Sequence, residues 1–308
     1  MVFMIPNING RILSLSHNDC DGVLCQILLS KVFKKITYLN VSFYKIDETI
    51  AKLDFNQYDT TFITDLHPSL PQSIIKLQEQ KKGKLVLIDH HNSFIGLHDP
   101  TNGFIVVPGV CGAILVRKYL ERTYGANFKQ FDSLLYLIND YDIHIMKNPK
   151  TRLLHELLYG IYNISQFRTE FADGRTQLKP TELEFLRKRR DQFNEQWDKL
   201  DVFDLKLFRG CVIVVDDFIN EFSDMLIHKH NYELVVVRHL HKNRVSIRHN
   251  IKGFNIGTLL KKYNWGGGHE QAAGMRILSD IDFKEKVDII EQDVANYLKE
   301  HSIVSISV

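Results

Sequence analysis

Residues 84–93 of this chain spell KLVLIDHHNS, and the expected fold is built around them. Four apolar residues, 85–88, stop abruptly at a carboxylate and two imidazoles, Asp89, His90 and His91. A short apolar run that follows a glycine predicts a strand buried on both faces of a parallel sheet. Ligands bind at the C-terminal ends of such strands, and Asp with His forms a natural ligand set for a divalent metal ion. A capping aspartate followed by two solvated histidines is the alternative interpretation.

The length and composition favour a globular protein of two domains. The chain has 308 residues, and its hydrophobic fraction of 44% is sufficient for packed cores. Residues 1–10, MVFMIPNING, lack a basic segment followed by a long apolar core, so no signal peptide is expected, and no apolar run approaches the length of a membrane span. The four cysteines form no C-x-x-C pair, which predicts reduced thiols in a cytoplasmic protein.

The charge pattern limits the kind of partner that the protein can have. The formal net charge of +2 argues against a protein that coats long duplex DNA by counterion release, but it allows short anionic substrates in a local pocket. Residues 187–190, RKRR, form a basic run on a long polar helix predicted to begin at Pro180. A solvated helix face is the favoured interpretation, with nucleic-acid contact as the alternative. On the same helix, Phe193 and Trp197 are interpreted as packing residues.

A second set of polar residues follows the first predicted strand. Residues 11–16, RILSLS, alternate as a strand does and lead into His17, Asp19 and Asp21. Side chains two apart in an extended segment point the same way, so three potential ligands would project to one side. Gly22 would make the tight turn into a helix over residues 23–34. The alternative is an Asx-rich turn with capping carboxylates, although capping needs only one such residue.

Two further segments bring carboxylates to the same region. Residues 60–64 predict a strand that ends at Asp65, which by itself is more typical of a helix cap than of a metal ligand, and His67 is expected to be a neighbour of the site. A helix over residues 128–138 runs into Asp140 and Asp142, either of which would add a ligand. Two metal ions bridged by an aspartate would neutralise a phosphate in an in-line displacement.

These motifs, taken in order, resemble those of the DHH phosphoesterase superfamily, and the resemblance covers most of the chain. The spacing of His17 and Asp19 is similar to the RecJ-type pattern rather than to that of the pyrophosphatase branch. The resemblance implies two Mn²⁺ ions, with Mg²⁺ as an alternative. The first ion would bind His17, Asp19 and Asp65, and the second would bind Asp21, Asp65, His90 and Asp140, with Asp142 as a rival to Asp140. His91 would lie beside the scissile phosphate, and Asp89 would orient the ligands.

The C-terminal part of the chain carries a second motif of the same family. Residues 266–274 spell GGGHEQAAG, in which consecutive glycines would leave backbone N–H groups open to an anion. A flexible turn is the alternative. The segment resembles the signature of the DHH-associated domain, which implies that Gly266, Gly267, Gly268 and His269 bind substrate. Arg248 is the matching arginine on a neighbouring strand, and Arg238 is a weaker candidate.

The expected architecture is α/β, with three parts. A parallel-sheet metal-binding domain would occupy residues 1–150, a helical linker residues 151–204, and a smaller α/β substrate-binding domain residues 205–308, with the active site in the cleft. The resemblance implies hydrolysis of short single-stranded RNA or DNA oligonucleotides to mononucleotides, as by a nanoRNase. A cyclic-dinucleotide phosphodiesterase, a 3′-phosphoadenosine phosphatase and a non-catalytic nucleotide-binding module are the alternatives. The sequence leaves the oligomeric state open, a homodimer included.

Overall fold

The computed structural model describes residues 5–80, 84–143, 145–268 and 270–302, apart from the side chains of Asn92, Ser93 and Ser302. The chain divides into two compact units, Met1–Arg187 and Lys188–Val308. Each unit has its own sheet and its own hydrophobic clusters. The mixed α/β architecture predicted from the sequence is confirmed.

The first unit is built on a five-stranded parallel sheet. Its strands are β1 (Arg11–His17), β2 (Lys35–Val41), β3 (Thr60–Thr64), β4 (Leu85–Asp89) and β5 (Phe104–Val106). Their spatial order is β2-β1-β3-β4-β5. The three strands that carry the ligand motifs are therefore adjacent, and their C-terminal ends lie at one edge of the sheet.

Eight helices accompany this sheet in the described part of the first unit and at its boundary. They are α1 (Cys20–Ser30), α2 (Ile46–Lys52), α3 (Pro71–Gln78), α4 (Gly112–Tyr124), α5 (Asp132–Asp142), α6 (Thr151–Gly160), α7 (Ile164–Glu170) and α8 (Pro180–Trp197). Short 3-10 helices occur at Phe43–Lys45, Phe55–Gln57, Asn92–Leu97, Pro100–Asn102 and Lys129–Phe131.

Hydrophobic clusters cover both faces of the sheet. Successive strand residues point to opposite faces, so each strand contributes side chains to both clusters. In β4, Val86 and Ile88 join the cluster formed with α1, α4 and α5, whereas Leu85 and Leu87 join the cluster on the other face with α2 and α3. All five residues of β4 are buried. This double burial explains the continuous apolar run of β4, and it places Asp89 deep in the protein at the end of the strand.

Residues 151–204, predicted as a linker, are divided between the two units in the structure. Helices α6 and α7 contribute Leu154, Leu157, Phe167 and Phe171 to the core of the first unit. The boundary between the two units falls at residues 187 and 188, inside α8. Because α6 and α7 are amphipathic and bury their apolar sides against α1 and α5, they act as part of the first unit.

The second unit contains a six-stranded mixed sheet. Its strands are β6 (Val202–Asp204), β7 (Gly210–Val215), β8 (Leu234–His239), β9 (Arg244–His249), β10 (Gly266–Gly268) and β11 (Ala272–Arg276), in the order β10-β11-β9-β8-β7-β6. Strands β7 and β8 are parallel, and the other neighbours are antiparallel. The helices are α9 (Ile219–His228), α10 (Ile256–Lys262) and α11 (Asp280–Ser302).

The triple glycine of the second unit forms edge strand β10 and not the flexible turn that was the alternative interpretation. A Cβ on Gly266 would lie 2.0 Å from the carbonyl oxygen of Gly274, and a Cβ on Gly268 would lie 2.5 Å from that of Ala272. Gly268 also has a φ of 156°. Close pairing with β11 therefore requires glycine at both positions, whatever else the segment binds.

The basic run at the start of the second unit forms ion pairs. Arg189 donates to Asp217 at 2.9 Å and lies over the ring of Phe218 at 4.2 Å. Phe193 and Trp197 pack in the cluster around Phe222, which confirms that they are packing residues. A structural role is thus visible for this part of α8.

All four cysteines are buried and form no disulfide, as predicted from their spacing. None of the helices in the described ranges combines the length and the apolar character needed to cross a lipid bilayer.

Candidate metal centre

The first group of predicted ligands meets where β1 and β3 end. His17 Nδ1 lies 2.6 Å from Asp19 Oδ2 and 3.8 Å from Asp65 Oδ2. The other oxygen of Asp19 accepts a hydrogen bond from the backbone N–H of Gly22 at 2.9 Å and so caps α1. Burial alone would raise the pKa of Asp19, but the hydrogen bond and charge of His17 hold it well below its usual range. Asp19 therefore caps α1 and also offers an oxygen to a group of potential metal ligands with His17 and Asp65.

Asp65 is the central residue of the site. It follows β3 directly, has a positive φ of 54° and is only 1% exposed. A positive φ is unusual for a residue other than glycine and directs the carboxylate away from the path of the strand. Among the described residues, Asp65 Oδ2 has no hydrogen-bond partner. Burial, followed by repulsion from the nearby aspartates, raises the pKa of Asp65 well above its ordinary value.

The second group of ligands surrounds His90. Its Nε2 atom lies 3.2 Å from Asp65 Oδ1 and 3.2 Å from Asp142 Oδ2. Potential ligand atoms of Asp21, His90 and Asp142 all lie within 4.8 Å of one another. Burial lowers the pKa of His90, which favours the neutral imidazole that binds metal ions.

Asp21 is fixed by the beginning of α4. Its two carboxylate oxygens accept hydrogen bonds from the backbone N–H groups of Gly112 at 2.6 Å and Ala113 at 2.8 Å. The partial positive charge at a helix N-terminus stabilises this buried carboxylate. A Cβ on Gly112 would lie 2.9 Å from Asp21 Oδ2 and 3.0 Å from the Cβ of Asp65. Glycine at position 112 therefore leaves room for the side chains of Asp21 and Asp65.

The structure brings Asp142, and not Asp140, to the centre. Asp140 accepts hydrogen bonds from the backbone N–H groups of Lys147 and Asn148 and from the hydroxyl of Thr151. Its carboxylate therefore fixes the turn between α5 and α6. The two aspartates are 200° apart around an α-helix, so only one of them can face the strand ends. The ligand role expected for Asp140 thus passes to Asp142 on geometric grounds.

Asp89 orients two histidines from a fully buried position. Its oxygens accept hydrogen bonds from His91 Nδ1 at 2.7 Å and from His67 Nδ1 at 2.9 Å. Burial alone would raise the pKa of Asp89, but these two hydrogen bonds lower it. The bond from His91 in turn raises the pKa of His91 against the effect of burial. His91 is therefore held beside the cluster by the buried carboxylate of Asp89.

His67 has a larger part in the centre than the sequence suggested. It is 5% exposed, stacks on Phe94 with ring centroids 4.8 Å apart, and lies 5.3 Å from the ring of His91. Its hydrogen bond to Asp89 helps to fix the carboxylate that in turn holds His91. The only sequence signal for this role was its position two residues after Asp65.

The donor set fits divalent metal ions. Asp65 Oδ2 is buried and makes no hydrogen bond to the described residues, and the buried Asp142 Oδ2 lies 3.2 Å from the imidazole of His90. Burial, followed by repulsion from neighbouring aspartates, raises the pKa values of both carboxyl groups well above the ordinary range. Bound cations would remove this repulsion and satisfy the oxygens, and a cluster of carboxylates and imidazoles without thiolates suits Mn²⁺ or Mg²⁺.

The predicted substrate-binding residues lie in the second unit. Arg248 on β9 pairs with Ala272 of β11, and its guanidinium donates to Asn220 Oδ1 at 3.0 Å. The three glycines form the neighbouring edge strand. The weaker candidate, Arg238, donates to Asp280 at 2.7 Å. His269 lies outside the described residues.

Comparisons with known proteins find one match to the second unit and others that extend over most of the chain. Residues 214–300 match the model of the DHHA1 domain. Over 303 aligned residues, the chain is 24% identical to the oligoribonuclease NrnB of Bacillus subtilis, covering 86% of this chain and 73% of that protein.

Two solved structures are similar in fold. One is a pGpG-specific phosphodiesterase, PggH, from Vibrio cholerae, with a TM-score of 0.57, 16% identity, and coverage of 94% of this chain and 99% of that one. The other is RecJ from Thermus thermophilus in complex with Mn²⁺, with a TM-score of 0.57, 15% identity, and coverage of 92% of this chain and 52% of that one. The chain is thus similar over most of its length to phosphodiesterases and exonucleases of the DHH type, and its C-terminal part matches the DHHA1 domain.

Proposed function

We propose that the protein is a metal-dependent phosphodiesterase that hydrolyses short single-stranded oligonucleotides and releases mononucleotides. The observation that carries the proposal is the position of Asp65, whose two oxygens lie between two groups of potential ligands. Similarity to an oligoribonuclease and to a phosphodiesterase for a linear dinucleotide supports a short substrate.

The ligand set divides between two ions that share Asp65. His17, Asp19 and Asp65 would hold the first ion. Asp21, Asp65, His90 and Asp142 would hold the second. When bound, two such ions activate the attacking water and neutralise charge on the phosphate. Mn²⁺ is the preferred ion, since the ligands are mainly carboxylates and the similar RecJ structure contains Mn²⁺.

His91 is suited to act on the substrate rather than on a metal ion. Its side chain is 30% exposed, and its Nδ1–H is held by the buried Asp89. This hydrogen bond fixes the ring and stabilises the imidazolium, which can donate to a phosphate oxygen or to the leaving oxygen. His67 keeps Asp89 in place, and Phe94 keeps the His67 ring in place.

Arg248 and strand β10 are proposed to bind the nucleotide that the metal centre does not hold. An arginine carries a charge that suits phosphate, and Arg248 lies on β9, separated from the glycine edge strand β10 by β11 alone. We assign His269 to the same role. Replacement of His269 by alanine should weaken nucleotide binding and leave the manganese content unchanged.

The direct test is a substrate panel with Mn²⁺. It contains RNA and DNA oligomers from two to about thirty nucleotides, cyclic dinucleotides and 3′-phosphoadenosine 5′-phosphate, each assayed at subsaturating concentration and at two salt concentrations. We expect the rate to stop rising with substrate length after about two to five nucleotides, because the site would contact only a few phosphates. The rate should also depend weakly on salt, because each phosphate contact to a single strand adds only roughly 0.7 to the slope of log affinity against log salt concentration. A strong preference for the longest strands with a steep salt dependence would contradict the proposal, and selective turnover of a cyclic dinucleotide would replace it.

A further inference from the structure

A surface pocket of about 480 Å³ lies in the first unit beside the metal centre. It is lined by Asn18, Leu158, Tyr159, Asn163, Ile164 and Ser165. Sites for small molecules have volumes of roughly 300–1,000 Å³. Asn18 stands between His17 and Asp19 in the chain, so one wall of the pocket continues directly into the first group of metal ligands.

One side of helix α6 lies close to the first group of ligands. The ring of His155 stacks on that of Tyr141 with centroids 3.5 Å apart, and His155 is near enough to Asp19 to help lower the pKa of that carboxyl group. Tyr159 follows His155 by four residues, and residues with this spacing lie on the same face of a helix. Tyr159 is therefore presented on the side of α6 that faces the metal centre, one turn beyond His155.

The pocket contains an exposed aromatic side chain. Tyr159 is 65% exposed although it stands beside buried Leu158 and partly buried Ile164. An exposed aromatic ring next to a site for phosphate is the arrangement on which nucleobases stack, and the interaction tolerates any base because every base has an aromatic face.

The polar groups of the pocket are neutral. Asn18 and Asn163 offer carboxamides and Ser165 offers a hydroxyl, and no lysine or arginine is among the lining residues. Asn163 uses its Oδ1 to accept from the backbone N–H of Gln166, which leaves its NH₂ group as a donor. Neutral donors and acceptors match the edges of a base, whereas a second phosphate would require a cationic lining.

We propose that this pocket is the nucleobase subsite of the enzyme, with Tyr159 as its stacking surface. The nucleotide whose phosphate lies at the metal centre would place its base between Tyr159 and the amide side chains. The inference rests on the proposed function, because it needs a nucleotide at the centre. It makes Tyr159 a specificity-determining residue that favours nucleotides over other phosphoesters.

The test compares the binding of adenosine 5′-monophosphate and ribose 5-phosphate to the manganese-loaded protein by titration calorimetry. The wild type should bind the nucleotide about tenfold more tightly, as expected for one stacked base. Tyr159→Ala should remove this difference and leave the affinity for ribose 5-phosphate within twofold, and Tyr159→Phe should retain the wild-type preference. Tyr136→Ala is the matched control, since Tyr136 is also exposed in the first unit, at 53%, but lies outside the pocket.

Equal affinities for the two ligands in the wild type would overturn the assignment. So would an unchanged nucleotide affinity in Tyr159→Ala, an equal loss of both affinities, or the absence of nucleotide binding. Hydrolysis of a dinucleotide is measured separately on the same variants. A wild type that prefers the nucleotide but cleaves no phosphodiester would uphold the subsite and refute the proposed function, which keeps the two failures distinct.

Discussion

At the scale of single residues, Asp65 and Asp142 determine what the centre can do. Asp65 is buried and Asp142 is partly buried, each has a buried oxygen that makes no hydrogen bond to the described residues, and both lie within reach of His90. Such an arrangement is costly without cations, since like charges in a buried site repel each other. Relief of this repulsion would favour the binding of divalent cations by the proposed ligand set.

Replacement of Asp65 by Asn should lower phosphodiesterase activity by at least about 100-fold and reduce the bound manganese, because the variant loses the ligand that both ions share. The raised pKa of Asp65 means that its ionised form destabilises the metal-free fold at neutral pH. The metal-free variant should therefore melt at the wild-type temperature or above it. Metal analysis, kinetics and thermal melting check the three expectations, and near-normal turnover would refute the two-ion assignment.

The choice between Asp142 and Asp140 gives a second prediction. Asp142→Asn should lose manganese and activity while its melting temperature is retained. Asp140→Asn should keep its manganese but melt at a lower temperature, since it weakens the hydrogen bonds to Lys147, Asn148 and Thr151. Metal analysis after dialysis, together with thermal melting, separates the two variants, and loss of manganese in Asp140→Asn alone would reverse the assignment.

At the scale of elements, strand ends and helix beginnings together form the centre. Ser16 illustrates this, because its hydroxyl lies 2.8 Å from the carbonyl of Gly22 and 2.8 Å from the hydroxyl of Thr64. It ties the end of β1 to the start of α1 and to the end of β3. The N-terminus of α4 plays the corresponding role for Asp21.

Gly112→Ala should weaken manganese binding by about 10- to 100-fold, the range seen when residues that support metal ligands are altered. Alanine has a higher helix propensity than glycine, so any loss must come from contact of the new Cβ with Asp21 and Asp65. Gly96→Ala is the control, because nothing lies within 4 Å of a Cβ at that position. Manganese titration measures both variants, and equal affinities would show that the centre tolerates the methyl group.

At the scale of the whole molecule, a buried network joins α8 to the first unit. The Glu182 side chain is fully buried and accepts hydrogen bonds from Arg175 at 2.6 Å and from the hydroxyl of Tyr162 at 2.6 Å. Burial alone would raise the pKa of Glu182, but the hydrogen bonds from Arg175 and Tyr162 lower it. This network, together with α6 and α7, makes the segment after residue 150 a structural part of the first unit.

Glu182→Gln should destabilise the first unit by roughly 3 kcal/mol at neutral pH, because Arg175 would be left without its buried partner. Because the pKa of Glu182 is lower in the folded state than in the unfolded state, its ionised form stabilises the fold. This stabilisation is complete above the ordinary glutamate pKa of about 4, and it is lost as the pH falls through the lower folded-state pKa. The difference in melting temperature from the wild type should therefore be large at pH 7 and shrink at acid pH. Glu184→Gln, which alters an exposed pair with Arg187, should change stability by less than about 0.5 kcal/mol. A difference that grows toward acid pH would contradict this reasoning.

The sequence by itself determined the α/β class, the strands that end in Asp or His and the grouping of His17, Asp19, Asp65 and His90. These follow from local signals, because an apolar run that stops at polar ligands marks a strand end whatever the rest of the chain does. Parallel pairing then brings the ends of β1, β3 and β4 to one edge.

Only the tertiary structure decided which aspartate of α5 faces the centre, where α6 and α7 pack, and that β10 is a strand. The rotation of α5 is set by how its apolar side packs against α1, α4 and α6, and such packing has no local signature near Asp140 or Asp142. The role of His67 and the space required at Gly112 likewise depend on atoms distant in the chain, Asp89 and Asp21. Contacts between remote segments are fixed by the packing of whole elements, which a short stretch of sequence does not specify.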